Sequence, residues 1–316
     1  MKAYLLRRLV MGIVAILGAT VIVFVLSRVG GQDPRYFYLG NSPGYAVTEE
    51  QWDAWGVKLG LDKPVLVQYF LWVGGVVRGD LGNSTQSGRT VISLIAERAP
   101  ATGELALGGW IFGTLVGVPL GVLSAVRRGG PLDYAARTFA LIGQATPTFW
   151  IALMAILVFS VHLGWLPAGT RGEGLAWRHL ILPWIMLGIN PAAAYLRFTR
   201  SSMLEVLDSE YIKLARAKGV NNRRIIWKHA LKNAALVPLT VSALVLVGFI
   251  TGTVVTETVF SWPGVGRMAV NAIWNTDFPV LTGLVMLFSV AYVVVILVLD
   301  LVYIFVDPRI RLGGTD

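Results

Sequence analysis

Polar and apolar positions in this chain do not alternate; they come in blocks. Six stretches contain no Asp, Glu, Lys, Arg or His: residues 9–27, 105–126, 138–161, 180–196, 233–256 and 278–299. The shortest is 17 residues and the longest 24. A bilayer core of about 30 Å requires about 20 apolar residues in a helix. Each block is therefore long enough to span, the fourth only just. Lipid offers no partner for a free amide group, so a spanning segment must satisfy its own backbone as a helix or closed barrel. The blocks are too long, and too poorly alternating, for barrel strands. The pattern predicts an all-α polytopic membrane protein with six transmembrane helices. The first block is preceded by basic residues, as a signal peptide would be, but it exceeds an h-region and lacks a small-x-small site, so a retained anchor is expected.

Two polar intervals are too large to be connections alone. Residues 28–99 contain turn signals at 30–34 and 41–44. Thr48 ahead of Glu49-Glu50-Gln51 then predicts a capped helix start. An apolar stretch at 59–77 follows, and the interval is expected to form a small outer subdomain of short helices. The second interval, 200–233, carries Leu204, Leu207, Tyr211 and Leu214 at helical spacing. Gly219 can end that helix in a left-handed conformation. Asn221 or Asn222 can cap the next one.

Composition excludes the main alternatives. The 316 residues are 55% hydrophobic and only 14% charged, with a mean hydropathy of +0.65. That is too few charges to cover a soluble globule and too many apolar residues for disorder. There is no Cys, and the three His lie far apart at 162, 179 and 229, so no disulfide scaffold or thiolate metal site is encoded. No metal and no other cofactor is expected on this chain. The net charge of +9 reflects orientation. With the N-terminus inside, the inner segments hold 17 Lys and Arg, the two short outer loops three, and the long first loop seven. Positive residues mark the cytoplasmic side, so both termini are expected in the cytoplasm. The charge is no argument for nucleic acid. Trp165, Trp177, Trp262 and Trp274 in the outer loops, with Trp150 and Trp184 in spans, fit an interfacial aromatic belt.

Single residues in the spans are less informative. Pro119, Pro147, Pro183 and Pro191 can kink helices, and Gly248 and Gly252 are spaced for close helix contact. Glu104 and Asp300 stand at span edges, where snorkelling or pairing with an Arg is as good a reading as function. No acid or His sits mid-span as a proton-coupled transporter would want. No catalytic cluster or filter-like repeat suggests a membrane enzyme or a channel. The basic 200–233 interval could rest on anionic lipid or dock a cytoplasmic partner; its physics alone leaves both open.

Its residues also resemble a known family. Ala215-Arg216-Ala217-Lys218-Gly219, followed by His229-Ala230-Leu231-Lys232-Asn233-Ala234, is similar to the cytoplasmic motif of ABC importer permeases, in the dipeptide, oligopeptide and nickel branch. Lys213 stands where the general motif begins with Glu. Further matches follow in order: 78–84, 97–107, Gly164-Trp165-Leu166-Pro167, 257–266, Asp277 with Pro279, and Asp300, Tyr303 and 307–311. Thr276 and Ile296 depart from the family's Arg and Asn.

The resemblance implies a type I ABC importer permease fold over 1–316 as one permease domain, with 200–233 as a coupling loop. It implies that Ala215, Arg216, Ala217, Lys218 and Gly219 contact an ATPase. Glu257, Trp262, Gly264 and Asp277 become candidates for gating or for docking a binding protein. The chain has no G-x-x-x-x-G-K-[ST] loop, so it is expected to be a non-catalytic subunit. ATP and Mg would be bound by two partner ATPase subunits. A homologous second permease and an extracytoplasmic substrate-binding protein complete the expected partners, with peptide or a related solute such as a nickel complex as cargo.

Overall fold

The computed structural model describes residues 2–29, 35, 48–58, 60–172 and 176–306, and at 2–5, 27–29, 58, 250–252, 299 and 302–306 the backbone alone. The turn signals at 30–34 and 41–44, the side chain of Tyr303 and the 307–311 motif lie outside the described residues. The chain divides into two compact units: residues 1–100 with 267–300, and 101–266 with the C-terminal residues.

In the first unit, α1 (Lys2–Val29) is long and apolar enough to cross a membrane. Thr48 and Gln51 form a reciprocal cap at the start of α2 (Glu49–Lys58): the Thr48 N–H donates to Gln51 Oε1 and the Gln51 N–H to Thr48 Oγ1, each at 3.3 Å. The apolar helix α3 (Val65–Val77) packs on α1 through Thr20, 2.8 Å from the Tyr69 hydroxyl, and through an edge-on contact of Phe24 with Tyr69. The last span, α13 (Phe278–Val306), belongs here as far as Asp300. It approaches α1 so closely at Gly12 that a Cβ there would stand 2.7 Å from Val293. Arg8 pairs with Asp300 at 3.2 Å, as expected of a span-edge acid.

The second unit is built on two long helices. α4 (Val91–Val126), whose first ten residues belong to the first unit, runs for 36 residues, or about 54 Å. It takes in the 97–107 segment and extends well ahead of the 105–126 block. α7 (Trp177–Leu207) runs for 31 residues despite Pro183 and Pro191, which exceeds the marginal 17-residue block. The two helices meet along a glycine ladder. A Cβ on Gly109 would stand 2.9 Å from Leu187, one on Gly113 3.1 Å from Pro191, and one on Gly121 2.7 Å from Leu196 O, while one on Gly117 would overlap Ala192 O. From the other side, a Cβ on Gly188 would stand 2.6 Å from Gly109 O. Spacing by four on one helix lets the two backbones touch. Of the pair expected at 248 and 252, a Cβ on Gly248 would meet open space, and the surroundings of Gly252 lie outside the described residues.

The third block is not one straight span. α5 (Pro131–Ala145) and α6 (Thr148–Ala155, continued as a wider-pitched turn to His162) meet at 104°. Pro147 cannot donate, and it holds Thr146 extended at φ −91°, ψ 129°. The fifth block is also bent. Its first residues end a helix at Asn222–Ala234 (α9), which meets Leu236–Phe249 of α10 (Leu236–Gly252) at 56°. After α10 come α11 (Val254–Val259) and α12 (Val265–Trp274). Among the described residues four helices are long and apolar enough to cross a membrane, or six if each bent pair is one span. Many large apolar side chains on these helices are exposed, among them Leu6, Val14, Leu115, Leu141 and Leu244. Such a surface is stable against lipid and not against water.

Trp150, Trp165, Trp177 and Trp274 are exposed, as a belt requires. Trp262 departs from it, being completely buried, and half-buried Trp184 donates to Glu104 O.

Candidate functional site

The motif at 215–219 sits at the tip of a helical hairpin in the second unit. α7 ends at Leu207, Ser209 restarts the chain as N-cap, and α8 covers Glu210–Ala217. The break resets the helical register. Leu204 and Leu207 therefore belong to α7, whereas Tyr211 and Leu214 are exposed. The expected single stripe is replaced by Ile212, fully buried in a cluster with Val122, Met203, Leu207 and Ile225.

Gly219 takes φ +74°, the left-handed conformation expected of it. Its N–H donates to Arg216 O (2.9 Å) and the Val220 N–H to Ala215 O (3.2 Å), closing the helix end. Asn221 caps α9 by accepting the Arg223 N–H at 2.9 Å. Tyr211 donates to His229 O and accepts from Asn233, which clips the two arms together. Ala215 rests on the buried cluster, while Arg216, Ala217, Lys218 and Gly219 are exposed. A Cβ on Gly219 would meet nothing. The arrangement is a firmly anchored knob with a small-residue tip. It has no acid–base or nucleophilic chemistry.

The other candidates lie elsewhere and are buried. Glu257 is fully enclosed in the second unit. It accepts hydrogen bonds from Thr102 Oγ1 (2.7 Å) and Thr253 Oγ1 (3.0 Å). The same Thr102 oxygen accepts the Val265 N–H at 2.9 Å. Gly264 and Gly266 leave the carboxylate its room, since a Cβ at either would press on it. Trp262, also fully buried, donates its indole N–H to Ala101 O at 2.9 Å. Ser261 between buried Phe260 and Trp262 is held at φ +51°. Such a backbone costs a non-glycine residue about 1–3 kcal/mol and persists only where packing enforces it.

Asp277, in the first unit, accepts from Ser84 Oγ and from the Thr85 N–H (3.1 Å). It ties the 78–84 signature to the start of the last span. None of these side chains lies on the surface, so direct contact with a docking partner is not what this conformation offers. Each is a buried tie between segments distant in sequence.

Asp133 was not singled out by sequence, although its carboxylate accepts four hydrogen bonds. It accepts Arg200 Nε (2.8 Å) and Nη2 (2.9 Å), Ser124 Oγ (2.6 Å) and the Gly129 N–H (3.0 Å). The residue lies ahead of the 138–161 block. Above all the Arg200 hydrogen bonds, then those from Ser124 and Gly129, hold its carboxyl well below the usual carboxylate range against the opposing effect of burial. The cluster joins α4, α5 and α7. Glu104 likewise pairs with Arg171 in both oxygens. Among the described residues no group of three or more His, Cys, Asp or Glu is placed to hold a metal ion.

With this geometry in view, comparison with known proteins is decisive. Residues 117–312 match the family of binding-protein-dependent transport system inner membrane components, and residues 1–106 match that system's N-terminal membrane component. The chain belongs to this family. It is 39% identical to the oligopeptide transport system permease protein AppB of Bacillus subtilis, over 98% of this chain and 100% of AppB. It is 38% identical to the dipeptide transport system permease protein DppB of Escherichia coli K12, over 98% of this chain and 99% of DppB. A chain of the MetNI methionine ABC transporter, in an inward-facing conformation, shares the fold: TM-score 0.57 at 18% identity, over 68% of this chain and 97% of that one. As a member of the binding-protein-dependent family, this chain is an inner-membrane permease subunit of an ABC importer.

Proposed function

We propose that the chain is one of two homologous permease subunits that cross the membrane six times each, with both termini in the cytoplasm and 1–316 forming a single permease domain. The spans follow the six charge-free blocks, the third and fifth of them bent. Residues 28–99 form the outer subdomain and 200–233 the coupling loop. Two ATPase subunits bind ATP and Mg; this chain binds neither. An extracytoplasmic binding protein delivers peptide, the cargo named for both AppB and DppB. The buried ties at Glu257, Trp262, Gly264 and Asp277 hold the outer segments in register as the transporter moves between discrete states.

The observation that carries the reading is the knob at 215–219. Its tip is small and exposed, yet its arms are anchored through Ile212 and Ile225 to the ends of α4 and α7. A push on such a knob moves long helices and not a loose loop. Replacing Gly219 by Val tests this. A β-branched residue at φ +74° is strained, and it adds bulk where the ATPase must approach. The expected result is normal membrane insertion with ATP hydrolysis no longer coupled to peptide uptake in proteoliposomes. Unchanged uptake and substrate-stimulated hydrolysis would overturn the coupling role.

A further inference from the structure

α9, the second arm of the coupling loop, presents a further surface apart from the 215–219 tip. Its buried side is Ile225, Ala230 and Ala234, and the stretch Ile225–Ala230 is wound with the wider i+5 pitch. Arg224, Lys228 and Lys232 then share one ridge at i, i+4 and i+8, with Arg223 and Trp227 on the ridge beside it. Together with Asn221 these side chains line an open recess of about 790 Å³. Trp227 is 46% exposed within it. No acid lines the recess, and none occurs between Asn221 and Thr256. The nearest acids in the chain are engaged elsewhere: Asp208 faces Arg128 at 3.8 Å and Glu210 pairs with Lys213 at 2.7 Å.

Position along the chain says what occupies such a recess. Lys232 is the last charge before the apolar block 233–256. The helix bends by 56° at that point, so α9 turns away from the direction of α10. Four cations and a half-exposed indole therefore stand where an apolar span begins, at the level of lipid head groups. Lys and Arg beside an anionic surface gain about fivefold in affinity each, and Trp favours the same interface.

We infer that this recess binds the phosphodiester head group of an anionic phospholipid, which the four cations grip and the Trp227 ring covers. The site is separate from the exposed 216–219 tip. The inference rests on the topology proposed above, because it needs α9 on a membrane face.

The test uses the full-length chain purified with its partner subunits in mild detergent. Native mass spectrometry follows titration with phosphatidylglycerol or with phosphatidylcholine of the same acyl chains. Wild type is expected to retain the anionic lipid at least about tenfold more tightly. The combined Arg223→Gln, Arg224→Gln, Lys228→Gln and Lys232→Gln variant should lose that preference, and a variant carrying only Arg223→Lys and Arg224→Lys should keep it. Equal retention of both lipids, or undiminished preference in the Gln variant, overturns the inference. So does displacement of the lipid by inorganic phosphate, which would mark a soluble-anion site. Loss of ATPase subunits from the Gln variant with lipid retention unchanged would assign the recess to the ATPase instead.

The chain has no cysteine, so Asn222→Cys reports sidedness in a clean background. Labelling of intact spheroplasts by an impermeant maleimide would overturn the topology itself. Failure of lipid selectivity with Gly219→Val still uncoupled would overturn the recess alone.

Discussion

The Asp133–Arg200 pair allows the sharpest test of how the second unit is held together. Asp133 is 1% exposed at its side chain and Arg200 21%. Removing one member of a buried pair strands the other, at a cost of about 3–5 kcal/mol. In Asp133→Asn the stranded group is Arg200, which still reaches water along one side, so the lower end, about 3 kcal/mol, applies. In Arg200→Gln the stranded group is the enclosed carboxylate, which keeps only Ser124 and Gly129 as donors. There the cost is about 4 kcal/mol. The double variant strands neither charge, so its cost should fall short of the sum by about 2 kcal/mol. In thermal unfolding of the detergent-purified protein, Asp133→Asn should lower the apparent Tm on the order of 6–12 °C.

The pH dependence has a definite sign. The folded-state pKa of Asp133 is depressed below the ordinary value of 3.8. Its contribution is therefore complete above the unfolded value and is lost as pH falls through the folded one. The gap between wild type and Asp133→Asn should be constant from about pH 5 to 8 and narrow only below about pH 4. A Tm shift under about 2 °C, strict additivity of the two substitutions, or a gap that closes near neutral pH would each refute the argument.

Two further outcomes follow from the packing. Gly117→Ala drives a methyl onto Ala192 O and to 2.8 Å from the Tyr195 Cβ, whereas Gly248→Ala enters open space. The first should cost about 1–3 kcal/mol and reduce the monodisperse yield on size exclusion, and the second should be neutral or stabilising by up to about 1 kcal/mol; equal yields would count against the ladder. Thr102→Val removes a donor from Glu257 and the acceptor of the Val265 N–H at once. A loss of about 1–3 kcal/mol in thermal stability is expected, with Thr102→Ser restoring most of it.

The spans were legible because lipid imposes a long, simple rule on sequence: keep charges out for about 20 residues. Bends were not, because the same residue has opposite outcomes. Pro183 and Pro191 sit inside an unbroken α7, while Pro147 separates two helices at 104°. Neighbouring helices and side chains can compensate a missing hydrogen bond, and which proline receives that help is decided by packing. The glycine ladder makes the same point. Residues 109, 113, 117 and 121 share their spacing with 248 and 252; the first series packs against a neighbouring helix, whereas a Cβ on Gly248 would meet nothing.

At the candidate sites, local rules succeeded and surface exposure did not follow from them. The left-handed Gly219, the Asn221 cap and the Thr48–Gln51 box depend on a few adjacent residues and were foreseeable. Glu257 and Trp262 stood out as candidates for gating or docking, whereas their hydrogen-bond partners Thr102 and Ala101 lie 155 and 161 positions away. Nothing in their spacing separates a buried tie from an exposed contact. Asp133 stands in the first turn of α5, where the helix dipole alone justifies an acid. Its decisive partner stands 67 residues on.

These long-range ties have a common arrangement that bears on how a push could travel. Gly109–Gly121 lock α4 to α7 backbone to backbone, Asp133 fastens α5 to both, and Ile212 and Ile225 root the hairpin in the same pair. A side-chain interface can slide by exchanging rotamers. A glycine-to-carbonyl contact has no side chain to exchange, and a bidentate ion pair whose carboxylate is only 1% exposed has no water to replace its partner part-way. Compliance in the second unit must then lie outside this block. The 104° break at Thr146-Pro147 and the 56° bend after Ala234 are the places where the described backbone already departs from a continuous helix. A motion begun at the 215–219 tip would carry α4 and α7 together and be taken up at those two joints, in keeping with the rigid-body character of hinge motions between packed elements.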